Sequence, residues 1–293
     1  VVDHIAEAAG RLEAFNKGRL DTCGLTKDDM NDYSLSDYCY YSTGDSTFAM
    51  TFNPDFEALK TAQANAGENY NKTILTLIEF RQAMSFAMDR AKFCLATSPL
   101  NAPAFGLYSS LIISDPDAGT PYRTTQVAKE TLAKFWGVSE EYGAGKLYAD
   151  IDEAIDSITG YNLTEAKKLM KTACDELVAA GLYKAGEEIK IRIAYAGGPL
   201  DSSNHNQVAK MNQYLNAAME ESGFGTIALE AVGDIPSRHD KVPEGEYAIG
   251  YGAWGGAAFY PFRNMQVYCD TEENKVNELG CWDPASEELT IEI

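Results

Sequence analysis

Basic residues are scarce in this sequence, where 24 Lys and Arg stand against 44 Asp and Glu and give a formal net charge of −20. Nucleic acids and anionic membrane surfaces both require a basic footprint on the protein, so this charge balance argues against either partner. No apolar run reaches the length needed to cross a bilayer. The simplest interpretation of the negative charge is that it keeps the protein soluble.

Residue patterns for metal or covalent chemistry are also missing. His4, His205 and His239 stand apart, with no HxH or HExxH pattern, so the sequence predicts no metal site. Ser46 follows a Gly-Asp pair as in the nucleophile block of GDS-type esterases, but the downstream Asp-x-x-His is absent, because Asp234 and His239 are five residues apart. We therefore expect no catalytic residue and no cofactor. An esterase that uses Ser46 is the alternative.

The six cysteines are too widely spaced for a CxxC metal knuckle. Two pairs flank short polar loops and are the candidates for disulfides, namely Cys23 with Cys39 and Cys269 with Cys281. Free, half-buried thiols are the alternative to disulfides, and the sequence does not decide between the two.

Hydrophobic periodicity predicts a chain that alternates helices with strands. The predicted helices cover residues 5–20, 75–90, 125–136, 152–158, 164–180 and 208–219. The predicted strands cover residues 37–41, 48–53, 189–193, 226–232 and 247–254. Residues 61–72 are expected to form a solvated loop and residues 98–122 an irregular segment. This order predicts an α/β fold, with a mixed sheet and flanking helices.

The most informative segment is Phe80–Arg90, FRQAMSFAMDR. Its apolar side chains recur at the spacing of a helix with one buried stripe, so periodicity predicts a core helix. A second well-formed helix spans residues 164–180, with Thr164 as the expected N-cap and Gly181 just beyond the last turn.

The FRQAMSFAMDR string resembles the FRqAlsyAiDR signature of the family 5 extracellular solute-binding proteins, which are peptide receptors of ABC importers. Further segments are similar to family motifs in the family's order. They are AGRLEAFNKGRLDTCGL at 9–25, TFN at 51–53, NAPAFG at 101–106, YNLTEAKKL at 161–169 and AWGG at 253–256. The resemblance implies that residues 1–293 are one domain, the second lobe of a two-lobed fold of the periplasmic-binding-protein type.

Three expectations about the extent of the chain accompany this resemblance. The first lobe of the receptor is missing from the sequence, and residues 98–160 form an enlarged loop or helical insertion. No charged-then-apolar leader precedes Val1, and the alternation at 289–293 is typical of a strand cut short. Both ends therefore suggest a fragment without its signal peptide.

The resemblance implies a non-enzymatic function. The chain would be the substrate-binding lobe of an ABC-importer receptor, outside the cytoplasm as a cell-surface lipoprotein or in the periplasm. Two lobes would close about a hinge on a peptide or other small ligand, and permease subunits would recognise the closed form. The alternative within binding proteins is a peptide or pheromone sensor that signals without transport.

The predicted ligand-binding residues supply aromatic surface and close backbone approach at the open end of the sheet. They are Tyr251, Trp254, Gly255, Gly256, Ala257, Phe259 and Tyr260 after the last strand, with Phe105 and Tyr108 in the irregular segment. In many oligopeptide-binding members, an Asp at the position of Ala257 holds the peptide's α-amine. The alanine therefore implies a ligand without a free amine at that point, or an acid supplied from elsewhere, such as the other lobe.

Overall fold

The computed structural model describes residues 5, 7–26, 28–53, 55–67, 70, 73–98, 100–106, 108–195, 198–236, 241–242, 244–254 and 259. Its helices are α1 (Ala8–Asn16), α2 (Met30–Tyr33), α3 (Phe56–Ala66), α4 (Ile78–Ala87), α5 (Arg90–Thr97), α6 (Gln126–Phe135), α7 (Ile151–Asp156), α8 (Leu163–Ala179) and α9 (Ser202–Met219). Its strands are β1 (Thr47–Phe52), β2 (Ile113–Asp115), β3 (Thr120–Pro121), β4 (Ile189–Tyr195), β5 (Ile227–Val232) and β6 (Ile249–Trp254).

Four strands form the main sheet, in the order β1-β6-β4-β5. Strand β4 pairs in parallel with both β5 and β6, and β1 pairs antiparallel with β6. Helix α9 connects the parallel strands β4 and β5, because a parallel pair needs a long crossover connection. The predicted α/β class, with a mixed sheet and flanking helices, is confirmed.

The segment singled out in the sequence begins in α4 and ends at the first residue of α5, and the part of its apolar stripe that lies in α4 is completely buried. Helix α4 packs against α8 and α9, and the three helices share one hydrophobic core with the sheet. The Phe80 ring meets the edge of Phe224 at 5.7 Å, and Phe224 in turn meets Tyr183 at 5.1 Å. Burying a side chain such as Phe80 contributes about 1.5–3 kcal/mol, so α4 anchors the core.

Helix α8 shows how closely, and where, its ends could be predicted. Its N-cap is Asn162, whose Oδ1 accepts from the backbone N–H of Glu165 at 3.0 Å. The predicted N-cap, Thr164, is wrong because it lies inside the first turn. At the other end Gly181 has φ +70° and its N–H donates to the carbonyl of Val178, so the predicted glycine terminator is confirmed.

Several predicted segments differ from the structure. The helix predicted over 75–90 ends at Ala87, and a separate helix, α5, follows because the Asp89 side chain accepts from the N–H of Lys92. Residues 61–66 are not loop but the second half of α3, which is held down by buried Leu59. Residues 37–41 form no strand.

Residues 98–160 hold the β2–β3 hairpin and helices α6 and α7, and Arg90 ties this region to α4. The Arg90 guanidinium donates to the carbonyls of Ser85 and Gly160 and lies over the Trp136 ring, 5.0 Å from its centre. Gly160 has φ +67°, and a Cβ there would lie 2.5 Å from the guanidinium. Burial lowers the pKa of Arg90 to about 10, so the side chain is charged at neutral pH.

Cysteines in the described part of the chain are thiols. Cys23 and Cys39, one of the two candidate disulfide pairs, are both free, as are Cys94 and Cys174. The other candidate pair, Cys269 with Cys281, lies outside the described residues.

The β5 edge of the sheet is closed by two side chains of α9. The Asn216 amide accepts from the N–H of Ile227 at 3.0 Å and donates to its carbonyl at 2.8 Å. Asn212 makes the same pair of bonds to Leu229, at 2.7 and 3.1 Å. Residues four apart on a helix thus pair with residues two apart on a strand, and their amides take the place of a neighbouring strand.

We predict that Asn216→Ala lowers the free energy of unfolding by about 1–2 kcal/mol, because it leaves the N–H and C=O of Ile227 without their amide partner. Urea denaturation measures this change. Gln213→Ala is the matched control, since Gln213 is exposed on the same helix, and its effect should stay within about 0.5 kcal/mol. Equal effects of the two substitutions would contradict the edge assignment.

Candidate ligand-binding site

The parallel strands have their carboxyl termini at the same end of the sheet, and α/β folds bind ligands at this end. Tyr195 ends β4 and pairs directly with Tyr251 of β6. Because β1 runs antiparallel to β6, its first residues lie at the same end of the sheet. Thr47 is opposite Trp254, and Phe48 is opposite Ala253. This end of the sheet is the candidate site.

A row of aromatic rings crosses the candidate site. The rings of Tyr195 and Tyr251 lie 5.0 Å apart, and those of Tyr251 and Phe48 lie 6.0 Å apart. Exposure rises along the row, from 4% for Tyr195 to 58% for Phe48. The row therefore starts in the core and ends on the surface, which suits a wall that an apolar or planar ligand group could contact.

The inner end of this row is buried and has few hydrogen-bond partners among the described residues. The buried hydroxyl of Tyr195 has no hydrogen-bond partner among the described residues, and burial together with the neighbouring Tyr251 raises its pKa. Burial, together with the nearby Cys94, raises the pKa of Tyr251 to about 12. Both tyrosines are therefore neutral at physiological pH.

Helices α5 and α9 come together beside these strand ends. The Gln207 amide donates to the Ser98 hydroxyl at 3.2 Å, and Asn206 donates to the carbonyl of Ala96 at 2.9 Å. The buried Oε1 of Gln207 has no partner within the described part of the chain. These bonds hold α5 in place, and with it Cys94.

The residues predicted after the last strand are only partly described. Trp254 is the last residue of β6, so its backbone lies at the predicted end of the sheet. Phe259 is 60% exposed. The other predicted residues of this group lie outside the described part of the chain. They are Gly255, Gly256, Ala257 and Tyr260. Their role in binding stays a prediction.

The contacts described for Phe105 and Tyr108 are with residues of the 98–160 segment. The carbonyl of Phe105 accepts from the Trp136 indole N–H at 3.0 Å. The buried Tyr108 ring meets Tyr122 edge-on at 4.9 Å. No ring contact joins either residue to Tyr251 among the described residues, so their part in ligand binding stays a prediction.

Two members of the aromatic row, Tyr195 and Phe48, were not among the residues predicted from the sequence. The signal for Tyr195 was present, since it continues the alternation of Ile191 and Ile193 and thus lies on the same face of its strand at the carboxyl end. Phe48 could be placed only once the antiparallel register of β1 was known.

No group of His, Cys, Asp or Glu that could hold a metal ion is present among the described residues. Ser46 Oγ donates to the adjacent Asp45 at 2.9 Å on the surface, and the exposed His205 lies on α9. None of the helices described here is long and apolar enough to span a membrane.

The sequence matches the bacterial extracellular solute-binding proteins, family 5 middle region, over residues 1–275. The chain belongs to this family. The family resemblance inferred from FRQAMSFAMDR and the accompanying segments is thereby confirmed. No curated protein sequence matches the chain.

Solved structures of receptors share the fold of this family 5 chain. Listeria monocytogenes OppA bound to peptide has a TM-score of 0.57 at 17% identity, over 96% of this chain and 44% of that one. The pheromone receptor PrgZ has a TM-score of 0.58 at 12% identity, over 94% of this chain and 43% of that one. The substrate-binding domain of a Bacillus anthracis oligopeptide ABC transporter has a TM-score of 0.53 at 16% identity, over 94% of this chain and 42% of that one. The chain thus spans less than half the length of these proteins.

We predict that stability falls between pH 10 and 12 partly because Tyr251 must ionise. Its pKa is raised from 10.0 to about 12 on folding, so its contribution is complete below pH 10 and is lost as the pH rises through 12. In Tyr251→Phe the free energy of unfolding should fall by about 1 kcal/mol less than in the wild type when the pH is raised to 11. Urea denaturation across this range measures it, with exposed Tyr161→Phe as the control. Identical pH profiles for wild type and Tyr251→Phe would refute the burial argument.

Proposed function

We propose that this chain is the ligand-binding second lobe of an extracytoplasmic receptor that captures peptides for an ABC importer. Family membership supports a solute-binding role. The names of the structural relatives support peptides as the ligand class, since OppA was solved with a peptide and PrgZ is described by its peptide binding.

The observation that carries the proposal is the aromatic row at the carboxyl end of the parallel strands, formed by Tyr195, Tyr251 and Phe48. An open aromatic wall with neutral hydroxyls can contact peptide side chains and backbone. It forms one side of a cleft, because Phe48 is left exposed. The first lobe of the receptor would supply the other side and would close over the ligand about a hinge.

The proposal includes the domain assignment and the partners. Residues 1–293 form one lobe with residues 98–160 as its insertion, the permease recognises the closed receptor, and a lipid anchor or the periplasm keeps the receptor outside the cytoplasm. A pheromone sensor is the second candidate, favoured by the similarity of the fold to PrgZ. Peptide uptake that depends on the receptor would decide for transport.

We predict that Trp254→Ala weakens peptide binding by the whole receptor by about tenfold or more, because the residue follows the aromatic row at the strand end and large aromatics dominate such contacts. Isothermal titration calorimetry with a peptide library measures the affinity. Tyr161→Ala is the control, because Tyr161 is 39% exposed and lies beside α8. Unchanged affinity in Trp254→Ala would remove this residue from the site.

A further inference from the structure

Three separate stretches of the 98–160 segment converge on one side chain, that of Arg90. Gly160, at the end of the segment, accepts a hydrogen bond from the Arg90 guanidinium. The Trp136 ring, just after α6, lies against the same guanidinium at 5.0 Å. Trp136 in turn donates its indole N–H to the carbonyl of Phe105 at 3.0 Å, so the beginning of the segment reaches the same point.

The contacts around this joint are close. A Cβ on Gly160 would lie 2.5 Å from the Arg90 guanidinium and 3.1 Å from the ring of Phe105. A Cβ on Gly106 would lie 3.2 Å from the side chain of Leu132 on α6. Phe105 is therefore held between Gly160 and α6 by direct packing as well as by its hydrogen bond to Trp136.

The same guanidinium is fixed on its other side to the end of α4. It donates to the carbonyl and the hydroxyl of Ser85 at 3.1 and 2.8 Å, and to the carbonyl of Met88 at 3.4 Å. A helix leaves carbonyl groups without helical partners in its last turn, and a cation is favoured there. Arg90 thus connects the 98–160 segment to a helix whose apolar stripe is buried in the core.

Arg90 is also the first residue of α5, which lies beside the aromatic row of the candidate site. Cys94 follows on the same side of α5, about 6 Å along the helix axis at 1.5 Å per residue. The Cys94 thiol is close enough to interact electrostatically with both Arg90 and Tyr251. Arg90 therefore lies between the 98–160 segment and the aromatic row.

We propose that Arg90 is a positioning residue of this lobe, which fixes the 98–160 segment to the end of α4 and so holds Phe105 at a set place relative to the aromatic row. The proposal rests on the proposed function, in which the row is one wall of a peptide cleft and Phe105 is a predicted ligand contact. The guanidinium bonds to groups of the protein, so it acts on the ligand through the segment.

The joint requires an arginine, because a lysine supplies the charge without the shape. The guanidinium is a planar fork with five N–H donors, and it can donate to carbonyls on two sides while its face lies on an aromatic ring. The ammonium of a lysine is a compact charge that cannot span the same groups. Arg90→Lys should therefore behave much like Arg90→Ala.

Hydrogen exchange on the whole receptor without peptide tests whether Arg90 fixes the segment. The reporter is the amide of Asn162, just beyond the segment, which donates to the carbonyl of Phe86 at 2.8 Å. In Arg90→Ala and Arg90→Lys it should exchange about tenfold faster or more, because the joint opens locally. The amide of Ile227, at the distant β5 edge, is the internal control and should keep its rate. Unchanged exchange at Asn162 in both variants would overturn the proposal.

Peptide affinity tests whether the fixed segment matters for binding. For the tightest-binding peptide of a library, both Arg90 variants should bind about tenfold more weakly at a temperature where they are fully folded. Asn216→Ala is the matched control, since it lowers stability at the β5 edge and should leave the affinity unchanged. A purely stabilising role of Arg90 would not alter the affinity of the folded protein. Wild-type affinity in both Arg90 variants would therefore overturn the proposal.

Gly160→Ala provides an independent variant that leaves Arg90 in the sequence. Its Cβ displaces the guanidinium, so this substitution should also weaken peptide binding by about tenfold. Arg90→Ala combined with Gly160→Ala should weaken binding by about tenfold as well, because both changes open the same joint. A loss of about a hundredfold in the double variant would mean that the two residues act separately, and would overturn the proposal.

The two readouts separate this proposal from the proposed function. A wild-type receptor that binds no peptide would refute peptide capture, and exchange at Asn162 would still decide whether Arg90 fixes the segment. A wild-type receptor that binds peptide no better than its Arg90 variants would refute the positioning role alone.

Discussion

The parallel pairing of β4 with β6 is the interaction on which the rest of the structure depends. It joins the β4–β5 half of the sheet to the β1–β6 half through a short register that includes Ile193 opposite Ile249 and Tyr195 opposite Tyr251. The two isoleucines are completely buried under the helices that include α4. Any shift of this register by one residue would turn the two tyrosines to opposite faces.

This register explains why the candidate site has its particular character. It places Tyr251 between the buried Tyr195 and the exposed Phe48, so one row of rings connects the core to the open edge. The burial that stabilises the inner rings also raises the pKa of Tyr251 and keeps its hydroxyl neutral. The same row is exposed at its outer end, which is consistent with a lobe that forms half of a cleft.

Much of the fold could be predicted from the sequence, because the helices that build the core have clear apolar stripes. Helix α4 and strand β4 carry their signal within a few residues, as FRQAMSFAMDR and as alternating isoleucines. Caps were harder, since Asn162 and Thr164 are both good N-cap residues and only the structure shows which one accepts the bond. The break before α5 was hidden because the apolar stripe of α4 continues through Met88.

The candidate site could be predicted only in part, because it depends on pairing between distant segments. Tyr251 and the backbone position of Trp254 followed from the family motif at a strand end, but Phe48 is brought beside them by a strand some 200 residues away in sequence. The closed β5 edge depends in the same way on Asn212 and Asn216, which look like ordinary polar residues on α9. Contacts of this range leave no local pattern in a single sequence.

The central claim is that this chain is one wall of a two-walled peptide cleft. Calorimetric titration of the same peptide into this chain and into the whole receptor tests it most directly. The account predicts micromolar or tighter binding by the whole receptor, near −8 kcal/mol, and binding by this chain alone that is at least about 100-fold weaker. Equal affinity of the two proteins for the peptide would contradict the account.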